Sequence, residues 1–142
     1  MGYIFAIIAG ASMSIQGVMN TRLSDKTGLF LSNAYVQGTA FILSLIALFF
    51  ANDNNLKGFG EVNKWYLLGG VFGLVITLTV MVSVKNLSPV IAISTILISQ
   101  LLCAALIDAF GLMGSEKIAF TWNKYVGVAA MIGGVLLLKW NQ

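Results

Sequence analysis

The sequence predicts an all-α integral membrane protein of five transmembrane helices, and three observations predict it. Of the 142 residues, 58% are hydrophobic and only 9% charged, with a mean hydropathy of +0.92. An ordinary soluble domain carries about 25% charged residues, so this chain lacks the polar atoms to cover a surface facing water. The few charges are also bunched. Residues 1–21, 27–52, 65–84 and 86–107 hold no Asp, Glu, Lys or Arg, and neither do residues 125–138. A helix needs roughly 20 apolar residues to cross a hydrocarbon core about 30 Å thick, and the first four stretches reach that length. Finally, Trp65, Tyr66, Trp122, Tyr125 and Trp140 stand where these stretches begin or end, as an aromatic belt at headgroup depth requires.

The first span is placed at 3–19. No basic segment precedes it and no small-residue cleavage site follows it, so it is expected to be retained and not removed as a signal peptide. The second covers 30–51. The third, 65–84, is opened by Trp65 and Tyr66 and stopped by Lys85. Ser88 followed by Pro89 reads as an N-cap with proline at the first helical position, where the missing N–H is no loss. It starts the fourth span, 89–111, which Gly111 is expected to end. The fifth, 122–140, has a shorter charge-free core, but Lys124 and Lys139 at its ends can snorkel to the interfaces. The polar stretch 52–64 is expected in water. These spans leave no room for a separate domain, so 1–142 reads as a single transmembrane domain.

Composition also excludes chemistry. With no His and one Cys, the chain cannot assemble a His/Cys metal site, a Ser-His or Cys-His nucleophile pair or a disulfide. No catalytic residue, metal or cofactor is expected, and the protein is not read as an enzyme. The net charge of +3 is spread thinly, which argues against nucleic acid as a partner. The expected partners are the lipid bilayer, a small solute and a second copy of the chain.

Five spans put the N-terminus, 52–64 and 112–121 on one side of the membrane, with 20–29, 85–88 and the C-terminus on the other. The first side holds Lys57, Lys64, Lys117 and Lys124; the second holds Arg22, Lys26, Lys85 and Lys139. Orientation normally follows an excess of Lys/Arg on the cytoplasmic side, and here there is none. Either the early pair Arg22 and Lys26 dominates, or the chain inserts both ways round.

Polar residues at membrane depth face protein or a water-filled cavity, because an unpaired amide in hydrocarbon is costly. Ser12, Gln16 and Asn20 recur every four residues on one face of the first helix, Asn33 and Gln37 do so on the second, and Thr79 and Ser83 on the third. Gln100, Ala104 and Asp108 share a face of the fourth. Such groups either bond helices together or line a polar path. Gln16, Asn20, Gln37 and Gln100 are the candidates for a substrate pathway, while the hydroxyls read as helix glue. Asp108, the one acid within a span, sits in the last helical turn, where the helix dipole disfavours it; it reads as a charged contact or ion site. Gly69 and Gly73 form a GxxxG, and Gly134 follows Ala130 at the same spacing, which marks them for close helix packing. Cys103 reads as a small packing residue.

The pattern Gly10-x5-Gln16-x3-Asn20-x-Arg22-Leu23 resembles the opening of the YdcZ-like family of bacterial inner-membrane proteins. Ser99-Gln100-Leu101-Leu102 with the run from Ile107 to Gly114 is similar to that family's fourth span, and Gly127-x5-Gly133-Gly134 to its last. The resemblance runs end to end. It implies the drug/metabolite transporter superfamily and five-span chains that pair antiparallel, as dual-topology homodimers or with oppositely oriented partners, giving ten helices. It also implies the bacterial cytoplasmic (inner) membrane as location and small-solute transport by alternating access as function. Small multidrug exporters of that superfamily exchange protons at a carboxylate in the middle of the first span; here that span has no acid, which puts their mechanism in doubt. The competing reading is a non-transporting structural or regulatory membrane subunit.

Overall fold

The computed structural model describes residues 1–51, 58–119 and 121–140, and among these the only regular elements are helices. In chain order they are α1 (Gly2–Thr27), α2 (Leu29–Phe50), the single turn α3 (Gly58–Glu61), a 3₁₀ turn (Lys64–Leu68) running into α4 (Gly69–Asn86), α5 (Pro89–Phe110), a 3₁₀ turn (Leu112–Gly114) and α6 (Trp122–Trp140). Among the described residues, four helices are long and apolar enough to cross a membrane: Gly2–Thr27, Leu29–Phe50, Lys64–Asn86 and Pro89–Phe110. The helix expected at 122–140 is present with those bounds.

The first helix outlasts its expected span. The sequence placed a loop at 20–29, but α1 continues to Thr27 and a single residue, Gly28, connects it to α2. Charge marks where a helix leaves hydrocarbon; it does not end the helix. The hydroxyls of Thr21, Ser24 and Thr27 fold back onto carbonyls of their own helix, at Gly17 (2.7 Å), Thr21 (2.7 Å) and Leu23 (3.0 Å). The helix stops at Gly28, whose φ of 87° suits glycine and whose N–H donates to the Ser24 carbonyl. The other expected ends are in place. The Ser88 hydroxyl accepts from the Ile91 N–H at 3.4 Å with Pro89 at the first turn, and Gly111, at φ 62°, caps α5 by donating to the carbonyls of Asp108 and Ile107. Of the polar stretch 52–64, residues 52–57 lie outside the described residues.

The chain divides into two compact units, Met1–Asn86 and Leu87–Gln142. In the first, α1, α2 and α4 pack on one another. Lys85 Nζ lies 3.1 Å from Asp25 Oδ1, so the C-terminal ends of α1 and α4 meet and the two helices run the same way. This agrees with the assignment of 20–29 and 85–88 to one side. The short turn at Gly28 makes α2 run against both. In the second unit α5 packs on α6. Large apolar side chains such as Phe5, Phe41, Phe49 and Phe72 stay exposed, as in a helix whose solvent is lipid.

Candidate functional site

The interior of the first unit is unusually polar. Its buried side chains are Asn20, Thr21, Ser24, Ser32 and Asn33, beside the apolar Met81 and Val84. The Ser32 hydroxyl donates to the Asn20 carbonyl at 3.3 Å and lies 3.6 Å from the Met81 sulfur, which ties α2 to both neighbours. Close approach of α1 and α4 depends on Gly17, where a Cβ would stand 3.1 Å from Val80 Cγ1. Two turns before Val80, Gly73 gives α2 its place on α4: a Cβ there would stand 3.5 Å from the Gln37 amide nitrogen.

Between α1 and α4 this packing leaves a cleft of about 50 Å³, lined by Met13, Gln16, Gly17 and Asn20 on one side and Ile76, Thr77 and Val80 on the other. That is room for a few waters or one very small solute. Thr77 donates to the Gly73 carbonyl at 2.9 Å, so the α4 position against which Gln37 of α2 rests lies one turn from the Thr77 that lines the cleft. Asn33 is 4% exposed, and its Oδ1 has no hydrogen-bond partner among the described residues. Ser32 against Met81 and Gln37 against Gly73 set the α2–α4 register, which puts Asn33 opposite the 73–81 stretch of α4 that contains Thr77.

Three of the four expected pathway residues, Gln16, Asn20 and Gln37, therefore gather in the first unit. Gln100 is exposed on α5 in the second unit and lines neither of the cavities described here. Of the expected packing glycines, Gly73 meets a neighbour, whereas a Cβ at Gly69 or Gly134 would meet nothing within 4 Å. Sequence reasoning passed over Gly17, Ser32 and Thr77. The run Gly10, Ser14, Gly17, Thr21, Ser24, small residues spaced by three and four, was the signal that could have found the first of these. Thr79 bonds to carbonyls of its own helix, at Val75 and Ile76.

Asp108 is half-buried in the second unit, where it shares with Lys124 a groove of about 480 Å³ between α5 and α6. Its carbonyl accepts from the Gly111 and Ile118 amides (3.3 and 2.9 Å), pinning the connection to α6 against the helix end. Among the described residues no group of three or more His, Cys, Asp or Glu comes together that could hold a metal ion.

A family model described as "Putative inner membrane exporter, YdcZ" matches residues 1–137. No curated protein and no solved structure gives a significant match.

Proposed function

We propose, from the premise that this chain belongs to the YdcZ family of inner-membrane proteins, that it exports a small solute by alternating access as an antiparallel, dual-topology homodimer. In this reading α6 is the fifth crossing, the whole chain works as one transmembrane domain, and two copies supply ten helices. The observation that carries the proposal is the cleft where Gln16 and Asn20 meet Thr77, with Gln37 of α2 resting on α4 one turn away. Apolar side chains would pack this seam at lower cost, since a buried amide must find partners or lose its hydration without return. Amides offer both a donor and an acceptor, which suits an uncharged polar solute. Gln100, exposed on α5, is a further amide proposed for solute contact, and Asp108 is proposed as a charged contact. Pairing is supported by the same economy: five helices with polar faces need a second set to shield a solute path from lipid.

The test starts with a thermal-shift screen of small metabolites and cations on purified protein, since a selective ligand raises the melting temperature by mass action. Flux of the ligand found is then measured in proteoliposomes. Gln16→Leu is expected to abolish that flux while changing assembly by no more than the ~0.6–2 kcal/mol of one interhelical hydrogen bond. Normal flux per assembled dimer, with weakened assembly, would make the amides helix glue and overturn the reading.

A further inference from the structure

We propose that the groove between α5 and α6 is a binding site for an aminophospholipid of the surrounding bilayer. The groove is amphiphilic along its length. Asp108 lies in the last turn of α5 and Lys124 in the first turn of α6, so both charges stand at the end next to the 111–121 connection. Leu101 and Met131 line it seven residues further along each helix, about 10 Å deeper at 1.5 Å per residue. Between them Ala104 and Gly127 have too little side chain to close the space, and the volume of about 480 Å³ remains open. Such a volume falls within the ~300–1,000 Å³ of small-molecule sites.

The depth of the charged end is marked independently. Trp122 and Tyr125 flank Lys124 in the first turn of α6 and are both exposed, the position of aromatic side chains at headgroup level. The occupant must therefore present a cation and an anion at headgroup depth and an apolar body below. Phosphatidylethanolamine has this form: its phosphate suits Lys124, its primary ammonium donates to Asp108, and an acyl chain fits along Leu101 and Met131. Basic pockets between membrane helices commonly hold lipid headgroups, and the acid beside the base adds a requirement for an amine. Asp108 is held for this role, because its own peptide carbonyl anchors the Gly111 and Ile118 amides and fixes the mouth of the groove. A lipid is the one zwitterion present at this depth at all times, and contact with it offsets the cost of a carboxylate at a helix C-terminus.

The test titrates purified protein in detergent with dioleoyl phosphatidylethanolamine, phosphatidylcholine and phosphatidylglycerol, reading bound lipid by native mass spectrometry. The wild type should hold the ethanolamine lipid about tenfold more tightly than the other two, the scale of one charge-assisted hydrogen bond. Asp108→Asn should erase that preference, Lys124→Gln should weaken all three, and Ala104→Leu should lower occupancy whatever the headgroup. If Asp108→Asn does not fold, the comparison of headgroups on the wild type decides alone. Equal retention of the three lipids, a preference that survives Asp108→Asn, or lipid expelled whenever two copies associate would each overturn the site, the last making it a surface between copies.

Discussion

Gly17 gives the seam between α1 and α4 a quantitative test. An alanine there places its Cβ 3.1 Å from Val80 Cγ1. Carbon atoms rest about 3.5–4.0 Å apart, so Val80 has to retreat by several tenths of an ångström. Overpacking of this kind costs about 1–3 kcal/mol. Against it stands the helix preference of alanine over glycine, about 0.8–1 kcal/mol. The net expectation for Gly17→Ala is a loss of up to roughly 2 kcal/mol. In a Val80→Ala background the clashing atom is gone, only the helix preference remains, and the same substitution should stabilise by about 1 kcal/mol. Reversible unfolding of the four proteins in mixed micelles, followed by circular dichroism, closes the cycle. Whatever Val80→Ala costs by itself cancels in the coupling term, which should reach about 1–3 kcal/mol. The same change in stability in both backgrounds would mean that α1 and α4 do not meet at this position, and the cleft beside it would lose its frame.

Other expectations follow from single residues. A reporter fused to the C-terminus should be found on both sides of the membrane, and two added lysines there should collapse it to one; a wild-type reporter confined to one face rules out dual insertion. Gly111→Ala should lower stability by about 1–2 kcal/mol, since φ is 62° and the new Cβ would meet the Ser115 carbonyl at 3.4 Å; unchanged melting would remove Gly111 from its capping role. Solute flux should change less than about twofold when a protonophore collapses the pH gradient, because no carboxylate or imidazole lies between the end turns of the long helices; full loss of flux, matched by Asp108→Asn, would make Asp108 a proton carrier.

How far the sequence could be read depended on what each residue reports. Uninterrupted apolarity reports the solvent, so Leu29–Phe50 and Pro89–Phe110 stand within a residue of the expected 30–51 and 89–111. Capping chemistry is local, and Ser88, Pro89 and Gly111 are where it placed them. The end of α1 was misread because Arg22, Asp25 and Lys26 say where water begins, whereas the helix itself runs on to Gly28, the residue at which φ turns positive. Packing glycines were harder still. Gly69, Gly73 and Gly134 share one spacing, yet only Gly73 meets a neighbour, because spacing defines a face and not what the face touches. Spacing found Gln16 and Asn20, but pairing them with Thr77 required the register of two helices about sixty residues apart in sequence, which no local pattern carries.

The placement of charge bears on both proposals. Arg22, Asp25 and Lys26 close α1, Lys85 closes α4, Asp108 closes α5, and Lys124 and Lys139 stand at the ends of α6. The helix interiors are left with uncharged polar groups only, and those are concentrated where α1, α2 and α4 meet. A neutral interior has little electrostatic preference for one direction through the bilayer, whereas a buried ion would fix both its partner and its depth. The four-against-four division of Lys and Arg expected from five spans, with neutral amides between, is thus a composition that would tolerate inversion, as the proposed dual-topology pair needs. Asp108 is the exception that fits the rule: its helix dipole disfavours it, the interior offers it no cation, and the nearest basic side chain along the same groove is Lys124 at the headgroup end. Its chemistry therefore points to the membrane surface, which is why the solute path and the lipid site are assigned to different residues.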